Sequence, residues 1–273
     1  MAGYHEALAT VLDFKRTQLL RAAERVEPIS EVAGGLAVFS PSLPDVWDLN
    51  LVLAPDGADR EIVARLVEAS ERLQGAAGLR HRKLRMDDAE SDDALEPLTS
   101  ASGWGVEREL VMVRRRARDG KPATHAVVRE LSWDELAPAE DRFLASEPYG
   151  RDPAIRRQLV AQNERWEGAV GTASRIGIVD EERVIGWCRV YDDGGVTEID
   201  GVGVLPDRRG SGLGRALLEG VLARVPANRL LFLCADADDW PKELYGRLGF
   251  DTVGERLSAT KAPAEDHEPD RNI

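Results

Sequence analysis

Two short segments in the last third of the chain combine residue types and spacings that could do chemistry. Residues 204–214 read Val-Leu-Pro-Asp-Arg-Arg-Gly-Ser-Gly-Leu-Gly, and the amphipathic run 215–224 follows at once. The order is strand, basic glycine-rich turn, helix start. The first N–H groups of a helix lack backbone partners, and the helix dipole adds positive potential there, so this junction suits an anion. Gly210, Gly212 and Gly214 let the backbone approach a ligand closely. Arg208, Arg209 and Arg215 add positive charge, with Ser211 and Leu213 between the glycines. A diphosphate is the natural guest; the plain alternative is an ordinary basic turn before a helix.

The kind of diphosphate can be narrowed. The phosphate loop of nucleotide hydrolases needs a Lys that this turn lacks, and the dinucleotide fingerprint would need Gly where Arg215 stands. What fits is Arg209-x-x-Gly212-x-Gly214 after a strand ending in Val204-Leu205-Pro206. The second segment, 230–250, opens with an apolar strand. Asp238 or Asp239 is placed to cap a helix with Pro241 in its first turn. That helix carries Leu244-Tyr245-Gly246-Arg247-Leu248-Gly249-Phe250.

Together these segments resemble the GNAT acyltransferase superfamily, whose acetyl-CoA loop follows the first pattern and whose Leu-Tyr-x-x-x-Gly-Phe helix follows the second. The resemblance covers about residues 124–260. It implies acetyl-CoA as co-substrate, held by Val202, Gly203, Val204, residues 208–215 and Asp238. One departure stands out: many members have Asn where this chain has Asp238. The implied chemistry is direct transfer from thioester to amine. Tyr245, a phenol, would protonate the departing thiolate. N–H groups near Val202 would face the oxyanion. Glu198 is the first choice of base and Asp200 the second; for each, a solvated or salt-bridged carboxylate is the plain alternative.

Composition bounds the rest. The chain has 273 residues, 43% hydrophobic and 31% charged, with a formal net charge of −13. This is a globular composition. The acidic balance argues against nucleic acid as a partner and mildly favours an amine acceptor, whether small molecule or peptide. Cys188 and Cys234 sit in apolar runs and read as buried thiols. The histidines His5, His81, His125 and His267 are scattered, so no metal site is expected. No apolar run approaches a bilayer span, and the charged first thirty residues do not form a secretory h-region. A cytoplasmic location without membrane partners is expected. Oligomeric state is not legible.

The fold class expected is α/β with a mixed sheet: a GNAT fold, two copies in tandem. Residues 1–118 form a degenerate GNAT-like domain and 124–260 the acyltransferase domain. A polar stretch at 116–123 has linker composition, and 261–273 reads as a disordered acidic tail. In the second half, 124–131 is a strand. Ser132 and Glu135 make a capping box for a helix toward Ala145, and Asp152-Pro153 opens another to about Trp166. Strands follow at 175–179, 183–191 and 195–205. In the last, Ile199 and Val202 are an odd number apart, which breaks alternation; a β-bulge near Gly201 would repair the phase. Family members splay this strand from its neighbour.

The first half repeats the landmarks. Leu53-Ala54-Pro55-Asp56 parallels Val204-Leu205-Pro206-Asp207, a helix follows from Asp59 to Gln74, and 98–104 parallels 244–250. The spacing from Pro55 to Gly103 is 48 residues and from Pro206 to Gly249 is 43. Aligned on the prolines, Ala58, Glu61 and Val63 replace Arg209, Gly212 and Gly214, and Thr99 replaces Tyr245. The acidic run 87–93 reads as a solvated loop. Acceptor-pocket residues are expected between Phe143 and Trp166, with Trp133, Tyr149 and Trp166 as aromatic candidates. Two other functions fit the same motifs. One is a non-enzymatic acyl-CoA-binding regulator; the other is a tandem enzyme similar to mycothiol synthase, by analogy of architecture.

Overall fold

The computed structural model describes residues 2–87, 92–115, 127–226 and 228–263. In chain order the first part contains α1 (Ala2–Ala22), β1 (Arg25–Pro28), β2 (Leu36–Phe39), β3 (Leu51–Leu53), α2 (Arg60–Ala76), β4 (Arg82–Met86), α3 (Glu96–Ser100) and β5 (Gly105–Arg114). Then come β6 (Val128–Glu130), α4 (Trp133–Ser146), α5 (Pro153–Gly168), β7 (Thr172–Asp180), β8 (Arg183–Asp192), β9 (Val196–Val204), α6 (Leu213–Leu222), β10 (Leu230–Asp236), α7 (Pro241–Arg247) and β11 (Phe250–Lys261). From β6 onward this is the expected order of strand, two helices, three strands, helix, strand, helix and strand.

The chain forms two compact units, and their boundaries are not those expected at 118 and 124. One unit joins residues 1–22 to 110–254; the other joins 23–109 to 255–273. The first helix thus belongs with the second half of the chain, and the end of β11 with the first half. Lys261 extends β11, where it pairs in register with Arg82 and bonds Glu71 at 2.7 Å, so the tail cannot begin there. The stretch 116–123 and most of the tail lie outside the described residues.

In the unit built on 1–22 and 110–254, β6, β7, β8 and β9 pair antiparallel in succession, and β9 pairs parallel with β10. The local signals act as expected. The Ser132 hydroxyl accepts from the Glu135 N–H while the Glu135 carboxylate accepts from the Ser132 N–H, closing a capping box on α4. The Asp152 carboxylate caps α5, with Pro153 at its first position. One sheet face carries Trp187, Arg189 and Tyr191 of β8. Phe143 of α4 meets Trp187 edge-on at 5.7 Å, and Phe14 of α1 meets Phe232 of β10 at 5.6 Å. The opposite face is covered by α6, where Gly220 lies so close to Val128 that a Cβ would come within 2.6 Å of it.

In the other unit, β1, β2 and β3 pair antiparallel, β3 pairs parallel with β4, and β4 pairs antiparallel with β11. This repeats the sequence of pairings seen from β7 to β10, as a tandem GNAT-like architecture requires. The apolar core lies under α2, with Val63, Leu66 and Ala69 packed against Val52, Leu84 and Leu257. Asp87, expected in a solvated loop, is instead buried and accepts from Arg256 Nε at 2.7 Å, because the end of β11 brings a guanidinium to it. Residues 88–91 of that acidic run lie outside the described residues.

Candidate acyltransferase site

The strand β9 changes phase where the sequence demanded it. Arg189 stands opposite Asp200 and Trp187 opposite Gly203, so Gly201 and Val202 together face the single residue between them. Gly201 has φ 59°, the left-handed conformation that a glycine bulge needs. Pairing of β9 with β10 covers only Val196–Glu198 against Leu230–Phe232. Both strands continue past it, to Val204 and Asp236. The two parallel strands therefore part after Glu198, and β9 beyond the bulge turns its unpaired edge to the gap. Gly203 also has a packing reason: a Cβ there would lie 2.6 Å from the Trp187 ring.

The glycine loop leads from β9 into α6. Residues 206–208 make one 3-10 turn, and Ser211 Oγ donates to the Arg208 carbonyl at 2.6 Å. Gly210 and Gly212 take φ 76° and 81°. Gly212 is the N-cap of α6 and offers no side chain to the first N–H groups. The helix start is thus exposed and uncapped, which fits a diphosphate. The arginines are less free than their sequence implied. Arg208 pairs with Asp180 at 2.8 Å, Arg209 with Glu147 at 3.4 Å while lying over the Phe143 ring, and Arg215 with Glu219 at 3.0 Å.

Tyr245 projects from α7, its ring edge-on to Phe250 at 6.4 Å, and is 8% exposed. Burial pushes its phenol up to about 12, with the negative charges of Asp200 and Asp239 adding to the effect. The Cys188 thiol is likewise raised to about 12 by burial and then by Asp200. Asp200 is thus the charge felt by the groups around the gap. It makes no hydrogen bond or ion pair among the described residues. Glu198 differs: it is buried, and its Oε1 accepts from Lys15 Nζ at 2.7 Å.

The helix α7 starts one residue later than a cap at Asp239 implied and two later than one at Asp238. Its N-cap is Trp240, without a side-chain cap. The Asp239 carboxylate accepts from the neighbouring Trp240 N–H at 2.7 Å, and the exposed Asp238 donates its N–H to Asp236. Lys242 Nζ bonds the carbonyls of Ala237 and Asp239, holding the turn from the other side.

On the α1, α4 and α5 side lies a charged cluster that the sequence reading missed. Arg189, 3% exposed, pairs with Glu140 of α4 and with Glu167 of α5, the latter at 3.1 Å. Glu167 also takes Arg175, whose guanidinium lies 5.2 Å over Trp133. Asn163 Nδ2 donates to Glu140. Tyr191, directly across the sheet from Glu198, is buried with its hydroxyl unpartnered. Its phenol is raised above the usual range, first by burial and then by Asp200. Of the aromatic residues expected to line an acceptor pocket, Trp166 is half-buried against the core beneath α1 and Tyr149 is exposed, in the turn that follows Glu147. Cys188 is buried, Cys234 only partly, and both are free thiols. Among the described residues no three His, Cys, Asp or Glu side chains group as metal ligands, and no helix is long and apolar enough to cross a membrane.

The site thus joins a bulged strand parting from its parallel neighbour, an uncapped glycine loop at a helix start and a buried tyrosine that feels the charge of Asp200. Residues 126–250 match the acetyltransferase (GNAT) family. The chain is similar to that family over this segment, and its two units share one order of strand pairing. It is 27% identical over 234 residues to a mycothiol acetyltransferase of Arthrobacter sp. (strain FB24), covering 79% of this chain and 70% of that one. Its fold is similar to a GCN5-related N-acetyltransferase from Kribbella flavida, with TM-score 0.62, 18% identity and 93% and 95% of the two chains covered. A tandem GNAT protein from the clavulanic acid biosynthesis pathway shares the fold at TM-score 0.50 and 18% identity, over 74% and 68%.

Proposed function

We propose that the chain transfers an acetyl group from acetyl-CoA to the amine of a small-molecule or peptide acceptor. The observation that carries this reading is the parting of β9 from β10 beyond Glu198, with the uncapped start of α6 following β9 and Tyr245 buried within reach of the charge of Asp200. Acetyl-CoA bound there supplies an activated carbonyl carbon, to which the amine nitrogen bonds as the carbon–sulfur bond breaks. Every other task falls to the chain. Backbone N–H groups of residues 210–214 hold the diphosphate, and the edge of β9 from Val202 to Val204 lines the gap. N–H donors aimed at that gap stabilise developing negative charge on oxygen.

Two protons must move. An alkylammonium cannot attack, so a carboxylate takes one proton. Asp200 is the better placed: it is partly exposed and unpaired among the described residues, whereas Glu198 would have to break its bond to Lys15. Tyr245 gives the other to the departing sulfur. With its phenol raised to about 12, its hydroxyl stays protonated through any ordinary assay range. Release of free thiol from acetyl-CoA with a panel of amines tests the reading; no release above the background with any amine would overturn it.

A second reading is that the acceptor is that of the mycothiol acetyltransferases. It is favoured by the likeness to the Arthrobacter protein, which extends over 234 residues and so beyond the segment 126–250. Including that acceptor in the panel separates the two.

A further inference from the structure

The first helix places a cation on the strand that carries the reaction. Ala7, Val11, Phe14 and Gln18 form the buried stripe of α1. Phe14 packs on Phe232, the register partner of Glu198 on β10. The next residue, Lys15, bonds Glu198 at 2.7 Å, with side-chain exposures of 17% and 1%. These two residues are 183 positions apart, and Lys15 lies far outside the family segment.

The surroundings explain why a cation is needed there. Glu198 and Asp200 are two residues apart before the bulge, so they share one face of β9. Tyr191 and Arg189 of β8 stand opposite them. Arg189 is already engaged by Glu140 of α4 and Glu167 of α5. Phe232 of β10 brings no charge. Without Lys15, Glu198 would lose the cation that it bonds, beside a second carboxylate on the same face, and like charges so placed disfavour ionisation of both.

We propose that Lys15 is a positioning residue of the transfer reaction: by pairing with Glu198 it withdraws that carboxylate from proton transfer and cancels its charge beside Asp200. This rests on the reading of Asp200 as the proton acceptor.

The test is a titration of the Asp200 carboxyl carbon by NMR in the full chain with 13C-labelled aspartate, assigned through Asp200→Asn, beside the acid limb of kcat. In Glu198→Gln the ammonium loses the carboxylate that it bonds, so the Asp200 midpoint and the limb should both fall by about half a pH unit or more. The neutral pair Lys15→Met/Glu198→Gln should return both to wild type, and Lys15→Arg should leave them there. A role in packing alone would not move a midpoint. An unchanged or raised midpoint in Glu198→Gln, or a fall that the double variant does not reverse, overturns the proposal. Full turnover by Asp200→Asn with the shifts intact would instead overturn Asp200 as proton acceptor, and with it the role of Lys15, though the coupling would stand. Absent shifts with Asp200→Asn inactive would overturn the role of Lys15 alone.

Discussion

The Asp59 carboxylate fills at the start of α2 the place that Gly212 leaves open at the start of α6. Each is the N-cap of the helix that follows a proline-containing turn, but Asp59 accepts from the Ile62 N–H at 2.9 Å while Gly212 has no side chain to offer. Glu61 in the first turn of α2 adds a second negative charge where an anion would sit. One helix start is closed to phosphate and the other is not.

One coenzyme A per chain is therefore expected, measured by calorimetry. Gly212→Val should weaken it at least about tenfold. A β-branched residue at φ 81° is strained, and its side chain would shield the amides. Circular dichroism should show the fold retained. Two equivalent sites per chain would contradict the closure of α2 by Asp59.

Tyr245→Phe keeps the ring against Phe250 and removes only the hydroxyl. Turnover should fall ~10²–10⁴-fold, with coenzyme A affinity nearly unchanged, since the loop binds through backbone groups. Because the phenol is held up near 12, no descending limb from it should appear in kcat below pH about 11. Turnover within twofold of wild type, where chemistry limits the rate, would make Tyr245 a packing residue.

Deleting residues 1–20 should unfold the acyltransferase unit although 126–250 is left whole. The deletion removes Val11, Phe14 and Leu19 from the core, and Lys15 from a buried carboxylate. Breaking a buried ion pair by removing one partner costs about 3–5 kcal/mol, a large part of a domain's stability. A cooperative unfolding transition for the shortened chain equal to that of wild type would refute this.

His81 predicts a pH dependence. Its ring is 1% exposed, stacks on Trp47 at 4.9 Å and bonds the Asn50 carbonyl. Burial lowers it from 6.5 to about 4. Between those values the unfolded chain binds a proton that the native ring does not, so stability rises with pH there. The contribution is fully present above pH 6.5 and is lost as pH falls toward 4, on the order of ~3 kcal/mol. In urea unfolding at a series of pH values, His81→Gln should be less stable than wild type at pH 7.5 yet lose less on acidification. Equal losses would locate the acid sensitivity elsewhere.

What the sequence revealed was local in its physics. The capping box at Ser132 and Glu135, the Asp152-Pro153 start and the phase break at Gly201 each state their structure within a few residues, and each appears where expected. The order of strands and helices around the glycine loop and Tyr245 followed from them. What escaped was set by distant parts of the chain. No nearby residue shows that Lys15 meets Glu198, that Arg256 buries Asp87, or that Glu140 and Glu167 converge on Arg189. A polar Gln18 in the apolar stripe of α1 was the one faint sign that this helix covers charged ground. At α7, Asp238 and Asp239 had the right chemistry for a cap, but Lys242 and Trp240 claim the groups that decide it.

The division of each unit between the two ends of the chain bears on how the molecule is made. One unit needs residues 1–22 together with 110–254, and the other needs 23–109 together with 255–261. On a ribosome, α1 emerges before its sheet and has to wait for it. The residues that complete β1–β4 emerge after that sheet. The usual sequence of one domain closing before the next is synthesised is not open to this chain, and its cores must form almost together, once β11 has emerged.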